Sequence, residues 1–255
     1  MVKQLRDSID SSALAEPQLL LTHITRSCNL SKILEKGYLE TTDCKVFKSN
    51  LLYFYYGRAE YREFADSVTA NSNLKPICII LKGIQNDEIE TTFPFDSGAF
   101  DRNGGLKDIF FQHIHNVEEL SIGKDVFSAQ KLVKCFYENN DNYINFYPVH
   151  RQSDPFEEPD VECYNRLVLG HSKGELDGRS STIEIISNKN IPTSNIIAII
   201  APNDFKNSHS LKNKLDTLGI ELQFYFSRSP QMVDNFSSVI QHCFNQFQDA
   251  HVQAN

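Results

Sequence analysis

No apolar run approaches the roughly 18 residues that a membrane-spanning helix requires. The opening, Met1 to Glu16, is polar and charged and does not read as a secretory leader. Both absences predict a cytoplasmic protein. There is no C-x-x-C pair. The six cysteines (Cys28, Cys44, Cys78, Cys135, Cys163 and Cys243) are scattered, and in an intracellular chain they read as reduced thiols, not disulfides or a zinc site. Positive charge is also short: the formal net charge is −8, which argues against a protein that coats nucleic acid non-specifically. Internal repeats, low-complexity tracts and clean linkers are missing from the 255 residues. That length suits one large domain or one domain with insertions.

What is present is ordinary globular composition, 40% hydrophobic and 23% charged, enough for a sizeable core. Charge is uneven. Cys44 to Ala59 carries Lys45, Lys48 and Arg58 and no acid, whereas acids gather from Asp154 to Glu162.

Met1 to Pro17 reads as a frayed or loosely docked terminus. Leu19 to Ile24 is an apolar run of buried-strand type. Asn29 is placed to cap a helix whose Leu30, Ile33 and Leu34 share a face, and Gly37 to end it. Leu51 to Tyr56 predicts a second strand broken by Gly57, Ala59 to Val68 a helix, and Pro76 to Lys82 a third strand. Phe93 to Gly98 is a turn. Lys107 to His115 and Asp125 to Tyr137 predict helices, and Asn139 to Gly178 a long loop. Thr182 to Ser187 and Ile196 to Ile200 predict strands. Leu211, Leu215 and Leu218 form a helix stripe closed by Gly219. Ile220, Leu222, Phe224 and Phe226 alternate as a strand. Met232, Phe236, Ile240 and Phe247 suit a last helix, with Pro230 at its first position. Strands and helices do not alternate regularly, which predicts an α+β fold.

Three residues invite chemistry. His23 lies inside the first strand, where a neutral imidazole can orient a ribose hydroxyl or carbonyl; a structural histidine with a satisfied hydrogen bond is the alternative. Arg58 follows Tyr53-Phe54-Tyr55-Tyr56-Gly57, and an arginine there can fork onto a pyrophosphate. A surface arginine is the alternative. Glu184 sits among β-branched residues, where a carboxylate is costly if buried unpaired. It is either an outward-facing strand residue or a carboxylate at the mouth of a cleft. His113, His115, His150 and His171 lack ligand spacing and predict no metal site. Asp96-Ser97-Gly98 reads as a tight turn, not a nucleophilic serine.

In order, these residues resemble the DarT-like ADP-ribosyltransferases. Leu21-Thr22-His23-Ile24-Thr25, Asn29-Leu30 and Ile33 to Gly37 are similar to that family's histidine strand and Asn-Leu helix. Tyr53 to Arg58 is similar to its aromatic strand and arginine. Ile183-Glu184-Ile185-Ile186, Ile191-Pro192 and Ile196 to Ile200 are similar to its glutamate strand, short proline-containing loop and next apolar strand. The resemblance covers about the first 80 residues and roughly 180 to 202. It implies an ADP-ribosyltransferase-like split β-sheet or sandwich core with flanking helices: an extension at 1–18, then a single domain over 19–255 with a large insertion around 85–178.

The resemblance further implies NAD as co-substrate, without a metal. Glu184, Arg58 and His23 would be the catalytic group. His23, Thr25, Arg58 and one or more of Tyr53, Tyr55 and Tyr56 would contact NAD. The loop within Gly170 to Ser181 would recognise the acceptor. The implied activity is transfer of ADP-ribose to a nucleic acid base, in RNA or single-stranded DNA. The implied setting is a bacterial toxin of a toxin–antitoxin or anti-phage system with a neutralising antitoxin protein. A protein acceptor, or a non-catalytic nucleotide-binding module, are the alternatives. Where the family continues Ser-Pro-Met after its arginine, this chain has Ala59-Glu60-Tyr61. Phe224 to Pro230 matches that local pattern better but out of order, which makes Arg228 the rival to Arg58.

Overall fold

The computed structural model describes residues 2–60, 68–69, 71–98, 116–170, 181–227, 231–232 and 236–254. Its principal strands are β1 (Leu21–Arg26), β2 (Ser49–Tyr56), β3 (Pro76–Leu81), β4 (Thr91–Phe93), β5 (Glu184–Ser187), β6 (Ile196–Pro202) and β7 (Glu221–Tyr225). The helices that matter here are α1 (Leu5–Ile9), α2 (Leu30–Lys36), α3 (Val126–Tyr137), α4 (Asn140–Ile144), α5 (Pro159–Leu169), α6 (His209–Leu218) and α7 (Ser237–Ala254). The chain divides into two compact units. The first comprises Met1–Leu19, Asp43–Tyr56 and Gln85–Asn188; the second comprises Leu20–Thr42, Gly57–Ile84 and Lys189–Asn255. The arrangement is α+β, as the irregular order of elements predicts. Among the described residues no helix is long and apolar enough to cross a membrane, and all six cysteines are free thiols.

In the second unit β3 pairs antiparallel with β1 and β6, and β6 pairs parallel with β7. All six residues of β3 are buried, as befits a strand covered on both faces. Cys78, Ile80, Ala198, Ile200 and Tyr225 pack with Phe236, Ile240, Phe244 and Phe247, so α7 covers one face of this sheet. The strand that the alternation of Ile220, Leu222, Phe224 and Phe226 predicts is present as β7, with Phe226 66% exposed and Tyr225 buried. Tyr225 lies on the opposite face, and its hydroxyl donates to the Pro76 carbonyl at 2.9 Å. Alternation separates two faces without saying which one packs. Met232 belongs to a short strand, Gln231–Met232, paired with Val68–Thr69, so it is not part of the last helix, nor is Val68 the end of a helix begun at Ala59. Asn29 closes a 3-10 turn and caps nothing with its side chain. Its amide instead donates to Thr25 Oγ1 at 2.8 Å. Gly37 does end α2, at φ +78°.

The first unit carries the antiparallel ladder β2–β5–β4. Helices α4 and α5 overturn the expected Asn139–Gly178 loop. The Asn139 side chain accepts from Asn142 N–H at 2.8 Å, and Pro159 occupies the first turn of α5, where its missing N–H costs nothing. Tyr143, Val161, Tyr164 and Val168 are fully buried. Tyrosine supplies much of this core, which a polar composition conceals. The terminus is docked, not frayed. Leu5 and Ile9 are each 1% exposed, Leu5 N–H donates to Asp160 at 3.1 Å, and Ser8 donates to Glu158 at 2.8 Å. The acids of Asp154 to Glu162 thus include those that hold α1.

Candidate active site

Strand β2 sorts its aromatic residues by parity. Leu52, Phe54 and Tyr56 point into the core. Tyr56 is 0% exposed, and its hydroxyl accepts from Leu19 N–H at 3.1 Å. Tyr53 and Tyr55 lie on the other face and are half-buried. Of the three tyrosines named from sequence, Tyr56 is therefore a core residue, and Tyr53 and Tyr55 are the two with an accessible face.

Glu184 opens β5 directly opposite Tyr55 on one side and Phe93 on the other. It is 2% exposed, which excludes the outward-facing alternative. Ser97 donates to its Oε2 through both the backbone N–H, at 3.0 Å, and the hydroxyl, at 2.5 Å. Asp96, 6% exposed, accepts from the Tyr55 hydroxyl at 2.9 Å and from Gly98 N–H at 2.8 Å. Burial, and then the neighbouring Asp96, push the Glu184 carboxyl well above the usual carboxylate range, against the two Ser97 hydrogen bonds that favour its anion. Burial also raises the Tyr53 hydroxyl, followed by its hydrogen bond with Cys44 and by the nearby Glu184 and Asp96. One sheet face thus holds two buried acids, two tyrosines and a thiol.

Side chains from the helices fix this face. The Tyr143 hydroxyl donates to the Tyr56 carbonyl at 2.9 Å and accepts from Ile183 N–H at 3.0 Å, locking β2 to the residue before Glu184. The Tyr164 hydroxyl donates to Pro94 O at 3.2 Å, anchoring the turn that carries Asp96 and Ser97. Farther along the same face lies a cavity of about 560 Å³ floored by Phe47, Leu51, Phe93 and Ile186. Its rim charges Lys124 and Glu90 pair with each other at 3.5 Å.

The second unit holds His23, Thr25 and Arg58. His23 is half-buried on β1, opposite Ile79. Gly57 adopts φ +64° and donates to the Leu20 carbonyl at 2.9 Å, and Thr22 Oγ1 donates to the Arg58 carbonyl. These contacts pin the Arg58 backbone, and its side chain is 0% exposed. A surface arginine is excluded, and so is an exposed basic face shared with Lys45 and Lys48. Arginine is rarely buried without a partner for its charge. Arg228, Lys107 to His115, His171 and residues 171–180, most of the loop expected to recognise the acceptor, lie outside the described residues; His150 is exposed. Among the described residues no group of three or more His, Cys, Asp or Glu side chains is placed to hold a metal ion.

No family model matches the chain, and no curated protein matches it. Solved structures similar to this chain include two complexes. One is Thermus sp. 2.9 DarT in complex with NAD+, at 13% identity and TM-score 0.41, covering 83% of this chain and 97% of that one. The other is Thermus sp. 2.9 DarT in complex with ADP-ribosylated ssDNA, at 11% identity and TM-score 0.41, covering 84% of this chain and 97% of that one.

Asp96 and Ser97 are the site residues that sequence reading misses. Their signal was the Asp-Ser-Gly turn itself. It is a tight turn, closed by the Asp96 side chain on Gly98 N–H as such turns are, but its free donors serve Glu184.

Proposed function

We propose that this protein is an NAD-dependent ADP-ribosyltransferase whose acceptor is a nucleic acid base, in RNA or single-stranded DNA. The observation that carries the reading is Glu184: a buried strand carboxylate, held by two donors from Ser97 and facing two tyrosines, at the position where the sequence resemblance puts the transferase glutamate.

The chemistry suits these residues. Breaking the nicotinamide–ribose bond of NAD develops oxocarbenium character at C1′, and an adjacent carboxylate stabilises that charge. The bonding pair leaves with nicotinamide and neutralises its ring nitrogen. A lone pair of the acceptor bonds to C1′, and the acceptor's proton passes to Glu184. Arg58 would hold the pyrophosphate through charge-assisted hydrogen bonds. His23 and Thr25 would contact the ribose region, and Tyr53 or Tyr55 would stack on nicotinamide. A base is reached most readily in a single strand, because a stacked base must first be extruded. The setting we infer is a toxin restrained by an antitoxin protein.

A protein acceptor is the second reading, favoured by the net charge of −8. NAD labelled in its adenylate moiety, incubated with RNA, single-stranded DNA and lysate protein in separate reactions, decides between them. Label on nucleic acid supports the first reading, and label on protein alone overturns it. Calorimetric titration with NAD should show Arg58→Ala weakening binding more than Arg228→Ala. The reverse order would transfer the role to Arg228.

A further inference from the structure

Hydrogen bonds and strand register close a ring through Glu184. Tyr55 is its partner across β2 and β5. The Tyr55 hydroxyl donates to Asp96 Oδ2 at 2.9 Å, and the next residue, Ser97, returns to Glu184 Oε2 through N–H and hydroxyl. Gly98 N–H fixes the other Asp96 oxygen at 2.8 Å. Both acids are buried, and two buried neighbouring carboxylates do not ionise independently. Asp96 has a donor on each oxygen. Both Ser97 donors meet Oε2 of Glu184, so Oε1 is the atom left to take a proton.

We propose that Asp96 is a positioning residue of this site: fixed by Tyr55 and Gly98, it acts through Glu184 and makes that carboxylate the proton acceptor for the incoming nucleophile. The proposal rests on the reading of Glu184 as the transferase glutamate. Among the described residues, the titratable groups facing Glu184 are Tyr53 and Tyr55 from β2, Cys44 from the Thr42–Cys44 strand, and Asp96 from the turn. Tyr53 is shifted farther from neutrality by its burial, and Asp96 is the acid that acts on Glu184 most strongly. A general base is most effective when it titrates near the working pH. A second carboxylate beside Glu184 moves it in that direction, because a like charge disfavours a second ionisation.

The test is Asp96→Asn in the full chain, with two readouts. Carbon-13 NMR follows the Glu184 side-chain carboxyl, assigned by its absence in Glu184→Gln. Nicotinamide release from NAD is measured against pH. We expect the Glu184 midpoint to fall by about one unit and the acid limb of release to move down with it. Tyr55→Phe, which removes one donor to Asp96 and leaves every charge in place, should shift both in the same direction by less. It carries the test if Asp96→Asn fails to fold. An unchanged midpoint together with an unchanged acid limb overturns the proposal. A midpoint shifted by Asp96→Asn, with a wild type that releases no nicotinamide at any pH, upholds the carboxylate pair and overturns the transferase reading instead.

Discussion

Lys75 and Glu184 are both buried charged residues, one in each unit, and the fold treats them in opposite ways. Lys75 is 0% exposed and donates to Asp204 at 2.8 Å and to Ser227 at 3.0 Å. Its carbonyl accepts from Ser27 at 2.8 Å. Asp204 feels some burial, but hydrogen bonds from Lys75, Ser72 and Ser227 hold its carboxyl down at about 2. Glu184 has an acid as its neighbour, and its carboxyl is pushed up. Opposite charges brought together make an architectural node that ties the start of β3 to the segments after β6 and β7. Like charges brought together hold free energy that architecture alone does not require, and such pairs concentrate where chemistry is done.

The contrast can be broken at either end. The largest stability change is expected for Lys75→Met, which leaves Asp204 without its cation. Denaturant midpoints should report a loss of about 3 kcal/mol, while nicotinamide release per folded molecule stays at the wild-type level. A loss of release at full stability would show that the node serves the reaction. Next in size, Glu184→Gln should stabilise the chain by about 1 kcal/mol at pH 8, with a difference that grows with pH. Because the folded carboxyl titrates above its ordinary value near 4.5, the unfolded chain releases that proton first. Wild-type stability therefore falls as pH rises from about 4.5 toward the folded midpoint, and the glutamine variant lacks this decline. Parallel stability–pH curves for the two proteins would deny that ionising Glu184 is costly. The smallest effect is the acid component of stability that Asp204 contributes. Its depressed carboxyl contributes stability above its unfolded value near 3.8, and that contribution is lost as pH falls toward about 2. Acid unfolding of Asp204→Asn should lack this component, and an identical acid limb would sever the Lys75 link.

Much of the fold was legible because local rules governed it. The apolar run at β1, the glycines after α2 and α6, and the aromatic alternation of β2 all appear where period and turn chemistry put them. Alternation marks a strand, but which face packs is decided by the partner. Tyr225 is buried and Phe226 exposed because α7 packs on the Tyr225 face of β7. Helices α4 and α5 were hidden because Tyr143, Tyr164 and the polar Asn140, Asp160 and Asn165 share their core side with Val161, Leu167 and Val168. Half of the Glu184 site was legible on the same terms. Glu184 stands out as an acid in an apolar strand, whereas Asp96 and Ser97 are 87 or more residues away in the chain from what they serve. Only tertiary structure brings a turn onto a strand carboxylate.

The central claim, that Glu184 performs chemistry on NAD, is tested most directly by nicotinamide release from purified wild type and Glu184→Ala at one pH. The account predicts release by the wild type and a fall of about 100-fold or more in the variant. Equal, background release from both proteins would contradict it.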